Sequence, residues 1–134
     1  MKVEYKSAYE KFSEFFKSKK WISDEEYHKL IRDYCVRAVY AFWHSFNKPV
    51  NYDRVVEFVL RKFMEDGMKD KIERLPSRET IERRLRETVD GKFWERGLTP
   101  CVRVKEGVYM PNPEMFSEET KKRMLEILEK ESSS

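Results

Sequence analysis

The run from Cys35 to Phe46, CVRAVYAFWHSF, is apolar on almost every side of a helix. A helix with no polar face lies at the centre of a core or against a partner chain. The pattern that contains it opens at Ser23, where Glu26 three residues on completes a capping box. Ile22 and Tyr27 stand where a hydrophobic staple closes over that cap. The first half of the helix is two-faced, through Tyr27, Leu30, Ile31 and Tyr34. Asn47-Lys48-Pro49-Val50 stops it near Phe46, because proline disfavours a helical residue before it.

The other elements read as covers for this helix. Residues 3–18 form an amphipathic helix, with Tyr5, Ala8, Tyr9, Phe12, Phe15 and Phe16 at three- and four-residue intervals. That spacing makes these aromatics core or interface rather than base-stacking groups. A third helix starts at Asn51 or Asp53, both good caps, buries Val55, Val56, Val59, Leu60 and Phe63, and ends at Gly67. Residues 68–75 are a charged connector in which Ile72 and Leu75 anchor a helical turn. A fourth helix spans 77–90, capped by Ser77 and ended by Asp90-Gly91, with Ile81, Leu85 and Thr88 or Val89 inward. The segment CVRV-KEG-VYM over 101–110 is a small β-hairpin, and Pro111 and Pro113 end it. Ser117 caps a last helix over 117–131, which carries Met124, Leu125, Ile127 and Leu128.

The expected fold class is therefore mainly α with a small three-stranded sheet (α+β), in one domain over residues 1–134. Hydrophobic residues make up 40% of the chain and charged residues another 40%, enough for one core under a charged surface. No apolar run reaches the roughly 18 residues of a membrane helix, and the start MKVEYKSAYEKF has no signal-peptide stretch. The expected location is the cytoplasm, with no membrane partner. Cys35 and Cys101 read as free thiols, Cys35 in the core and Cys101 on the first hairpin strand. The chain has no glutamine and only three asparagines beside abundant Lys, Arg and Glu, a usage that points to a hot environment.

Chemistry-bearing motifs are few. His28 and His44 are too far apart on one helix to share a metal, and no Cys/His cluster exists, so no metal or cofactor is expected. There is no GxSxG, P-loop or GxGxxG, and carboxylate pairs in so charged a chain carry no catalytic information. The expectation is that the protein is not an enzyme. Net charge is only +3, but residues 69–105 hold eleven basic against seven acidic residues. With Ile81 and Leu85 inward, Glu79, Arg83, Arg86 and Asp90 point outward, flanked by Thr80, Glu82 and Glu87. Trp94, in the loop before the hairpin, covers the core beneath it or touches DNA or a partner.

The order over residues 23–112 is helix, extended stub at Lys48-Pro49-Val50, helix, connector, Ser-capped basic helix, hairpin. This order resembles the winged helix-turn-helix family, with extra helices at 3–18 and 117–131. The helix motif Ser77, Arg78, Thr80, Ile81, Arg83, Leu85 and the phrase GVYMPN carry the resemblance, which looks toward small archaeal or archaeal-virus regulators. It implies that the stub pairs with the hairpin in a three-stranded sheet, that the Ser-capped helix at 77–90 is a recognition helix, and that the hairpin at 101–110 is a wing. The implied function is double-stranded DNA binding, as a transcription regulator. Its site residues are Ser77, Arg78, Glu79, Thr80, Glu82, Arg83 and Arg86 on the helix and Arg103 and Lys105 on the wing. In a viral setting the location is the host cytoplasm. The terminal helices pack on their own domain or form a homodimer. A winged-helix protein-interaction module in a replication or transcription assembly is the alternative, since the carboxylates on the fourth helix either accept from cytosine or simply pair with Arg83 and Arg86.

Overall fold

The computed structural model describes residues 23–68 and 75–133. The expected helix at 3–18, the staple residue Ile22 and Ile72 of the connector lie outside the described residues. Among those residues there are four α-helices and a three-stranded antiparallel sheet. In chain order these are α1 (Asp24–Phe46), β1 (Val50–Asn51), α2 (Tyr52–Glu65), α3 (Arg78–Glu87), β2 (Cys101–Lys105), β3 (Val108–Pro111) and α4 (Glu118–Ser132).

The all-round apolar helix is central, as expected. Its α1 residues Leu30, Ile31, Tyr34, Cys35, Val36, Ala38, Val39, Tyr40 and Trp43 are all buried. Ser23 caps it, its hydroxyl accepting from the Glu26 backbone N–H at 3.2 Å and meeting the Glu26 carboxylate at 3.1 Å. The helix stops one step earlier than proline requires. Asn47 adopts a left-handed backbone (φ 52°) and its N–H returns to the Trp43 carbonyl at 2.8 Å, a conformation that asparagine tolerates better than most residues. Pro49 keeps the chain extended afterwards, and the strand that follows is Val50–Asn51 rather than residues 48–50. Of the two candidate caps for α2, Asn51 is used, its side-chain oxygen accepting from the Arg54 N–H at 3.1 Å.

The stub pairs with the hairpin. Val50 lies opposite Tyr109 and Asn51 opposite Val108, and the sheet order is β1-β3-β2. Gly107 supplies the positive φ (75°) at the hairpin turn, and its carbonyl accepts the Tyr52 N–H at 2.8 Å, pinning the turn to the start of α2. A bulge between Arg103 and Lys105 shifts the register of β2 against β3.

The sheet is buried on both faces. On one, Cys101 and Tyr109 join the core of α1, α2 and α3. On the other, Trp43, Val104, Met110 and Met124 form a second cluster, with Val102, Val108, Phe116, Ile127 and Leu128 packed against it. The last helix thus lays its apolar residues on its own sheet and leaves Leu125 exposed.

Helix α3 ends at Glu87, three residues short of the expected boundary. Thr88 is fully buried and its hydroxyl donates to the Leu85 carbonyl at 2.6 Å. The N–H groups of Thr88, Val89 and Asp90 then bond three residues back instead of four, tightening the last turn. Asp90 leaves the outward helical face altogether and caps the next turn, accepting from the Lys92 N–H at 3.1 Å. Trp94 closes over this corner, its indole N–H donating to the Glu87 carbonyl at 2.8 Å, and packs against the core, the first of its two expected placements.

Candidate nucleic-acid interface

Helix α3 is held by an inner face of Ile81 and Leu85, both fully buried. Ser77 begins it, accepting from the Thr80 N–H at 3.1 Å while its own hydroxyl donates to Thr80 Oγ1 at 3.0 Å. With the helix clamped in this rotation, Glu79, Arg83 and Arg86 are exposed, and Thr80 and Glu82 are half-buried at the edge. Arg83 makes no ion pair among the described residues. Arg86 stands 3.9 Å from Glu82, a loose pair one helical turn apart.

Arg78 has a local partner. Its guanidinium bonds to the Asp53 carboxylate and lies 4.9 Å from the centre of the Tyr52 ring. The hydrogen bond to Asp53, and then that to Tyr52, hold its pKa above the ordinary arginine value. This contact ties the first turn of α3 to the first turn of α2 on an exposed surface.

The hairpin brings its cations alongside. Arg103 and Lys105 are exposed on β2. Between α3 and the hairpin lies a cleft of about 290 Å³, walled by Arg86 and Glu82 on one side and by Arg103 and Glu106 on the other, with Tyr52 and Tyr109 among the lining residues. Tyr109 is buried, which raises its pKa, while Arg103 and Arg86 pull it back. Three of the expected residues thus line one cleft, Glu82, Arg86 and Arg103, and Arg78 contacts its lining residue Tyr52 from outside. Lys105 lies on the same strand but not in the cleft lining.

Two expected members of the outward face turn elsewhere. Asp90 is a cap, as described. Glu87 faces α1 and accepts two bonds from Arg32, at 3.0 and 2.8 Å, in a contact whose two side chains are only 13% exposed. The other Glu87 oxygen lies 3.4 Å from Arg84. Arg84 is buried, its Nε has no hydrogen-bond partner among the described residues, and burial lowers its pKa. Arg32 also lies over the Phe93 ring at 4.7 Å. One carboxylate therefore serves two guanidiniums. His28 feels the same seam, its pKa lowered by burial and then by the Arg84 charge.

Arg84 was legible in principle. It stands three residues from Ile81 and next to Leu85, inside the inward arc of the helix. The Arg32–Glu87 contact spans 55 positions and carries no local signal.

Both cysteines are buried free thiols. Burial pushes the Cys101 pKa up to about 12 and raises that of Cys35 well above its usual value, so both stay protonated and unreactive. Among the described residues no group of His, Cys, Asp or Glu is placed to hold a metal ion, and no helix is long and apolar enough to cross a membrane. Comparison of the chain with protein-family models, with curated proteins and with solved structures finds no match.

Proposed function

We propose that this protein binds double-stranded DNA as a winged-helix transcription regulator. The observation that carries this reading is a Ser-capped helix whose outward Arg83 and Arg86 stand beside a hairpin displaying Arg103 and Lys105. A helix of this kind fits a major groove, where arginine reaches guanine edges or phosphates. The hairpin cations meet the backbone or the minor groove beside it. The order helix, stub, helix, helix, hairpin, with the sheet in the order β1-β3-β2, is the arrangement that the winged-helix resemblance implies. Glu79 and Glu82 serve as hydrogen-bond acceptors or hold Arg86 in place. The protein acts in the cytoplasm of its cell, or of its host if viral, and its composition suits a hot source.

A homodimer would set two such helices about 34 Å apart, one DNA turn. Within α4, most apolar residues are covered by its own sheet and Leu125 is exposed. Light scattering at micromolar concentration distinguishes a dimer from a monomer.

The deciding experiment is fluorescence anisotropy with random duplex DNA at about 50 and then 200 mM salt. Binding that weakens steeply with salt, and that Arg83→Ala and Lys105→Ala reduce, supports the regulator. No binding at low salt favours the second reading, a protein-interaction module. That reading draws on the groove between α1 and α2, about 250 Å³ and lined by Phe42, Phe46 and Phe58, in which Phe46 is 59% exposed.

A further inference from the structure

A third cleft lies on neither of these surfaces. It opens between the last turn of α1 and the start of α4 and measures about 580 Å³, within the range of small-molecule sites. Its apolar side is made by Trp43, Met115 and Phe116. Its polar side carries His44 and Arg123, with the hydroxyls of Ser117 and Thr120. Among the described residues no carboxylate lines it. The other two clefts each include glutamate: Glu57 between α1 and α2, and Glu82 and Glu106 between α3 and the hairpin. The acids adjacent in sequence to its lining residues are engaged or outside the lining. Glu114 is paired with Lys121 at 2.9 Å, and Glu118 and Glu119 are exposed on α4 outside the lining.

We propose that this cleft binds a small aromatic anion, the ring against Trp43 and Phe116 and the charge at Arg123. An acid-free pocket with an aromatic wall and a guanidinium discriminates in two ways at once. A bare inorganic anion gains nothing from the wall, and a neutral aromatic gains no charge-assisted hydrogen bond from the guanidinium. The Thr120 hydroxyl, which accepts from the Ser117 hydroxyl at 3.2 Å, donates its own proton to the anion beside Arg123. The site is separate from the proposed DNA surface, which makes it suited to an effector.

Phenyl phosphate is the probe, with benzyl alcohol and inorganic phosphate as controls, followed by ¹H–¹⁵N chemical shifts of the full chain. A ligand of this size is expected to bind with a Kd of about 1 mM. The shifts should centre on Trp43, Thr120 and Arg123, and each control should bind at least about tenfold more weakly. Arg123 is exposed, so Arg123→Ala should fold normally and lose about tenfold in affinity, and Arg123→Lys should recover part of it. Arg83→Ala should leave phenyl phosphate binding unchanged, whatever its effect on DNA. The proposal is overturned if phenyl phosphate binds no better than benzyl alcohol, if its shifts centre on α3 and the hairpin, or if Arg123→Ala binds it like the wild type.

Discussion

Glu87 is bonded to Arg32 and faces Arg84, so its removal leaves two guanidiniums in a poorly solvated seam without a counter-charge. Breaking a buried pair from one side costs about 3–5 kcal/mol, and Glu87→Gln is expected to lower stability by that order in a urea titration. An unchanged midpoint would mean that the seam is solvated. Asp33 shows the opposite imbalance. Burial pushes its pKa up to about 7, against which the Arg32 charge acts only partly. The folded state therefore holds the proton more tightly than the unfolded chain, whose aspartates titrate near 3.9. The contribution is most favourable below about pH 4, fades as pH rises to about 7, and is constant above that. Asp33→Asn should flatten this part of the stability profile and be the more stable form at pH 8, by at most about 4 kcal/mol. Chemical denaturation of both forms at pH 4 and pH 8 checks the sign. At the candidate interface, Arg83→Ala or Arg86→Ala is expected to weaken binding to a preferred sequence by about 1–3 kcal/mol where the arginine reads a base. Arg83 should show the larger loss, because Arg86 is shared with Glu82.

Helix α3 unites two demands on ten residues. Its inner face must fit against α1, and its outer face must be free. Leu85 belongs to the first demand, being fully buried, and Leu85→Ala is expected to cost about 2–5 kcal/mol. Met124 plays the same role for α4, as the one fully buried side chain of that helix, set against Trp43, Val104 and Met110. Met124→Ala should cost a similar amount. It lies on the far face of the sheet from α3, so DNA affinity per folded molecule should be unaltered, as an anisotropy titration of the variant below its melting point would show. Much of this level was legible beforehand. Ser23, Asn51, Ser77 and Ser117 all stand at helix starts, because an oxygen-bearing side chain before an apolar-periodic run is a local signal. Helix ends were less legible. The early stop of α3 depends on Thr88 being buried and on Trp94 reaching the Glu87 carbonyl, which are packing outcomes rather than propensities.

In the molecule as a whole, the cations of the candidate surface come from two elements separated by the 3₁₀ corner at residues 91–97. The corner is fixed by the Trp94 indole and by the Cys101 N–H bonding to the Thr88 carbonyl at 3.3 Å, so hairpin and helix keep a set relation. If both contact DNA, Arg103→Ala and Lys105→Ala should weaken all sequences alike and each reduce the slope of log affinity against log salt by about one. An unchanged slope would place the hairpin off the phosphates. At this scale the hot-source reading also has its check: thermal unfolding is expected above about 60 °C, beyond the middle of the mesophile range.

The amino-acid sequence by itself determined what depends on neighbours within a turn or two. It set the helix starts, the apolar faces, the hairpin with its glycine turn, and the outward placement of Glu79, Arg83 and Arg86. These follow from backbone geometry and side-chain period, which act locally. Only the tertiary structure decided which partner each charge takes. Arg78 went to Asp53, Glu87 to Arg32, Arg84 into the core and Asp90 to a turn, because in a chain where 40% of residues are charged every cation has many possible partners. Distance in space, set by how α1, α3 and the sheet pack, selects among them.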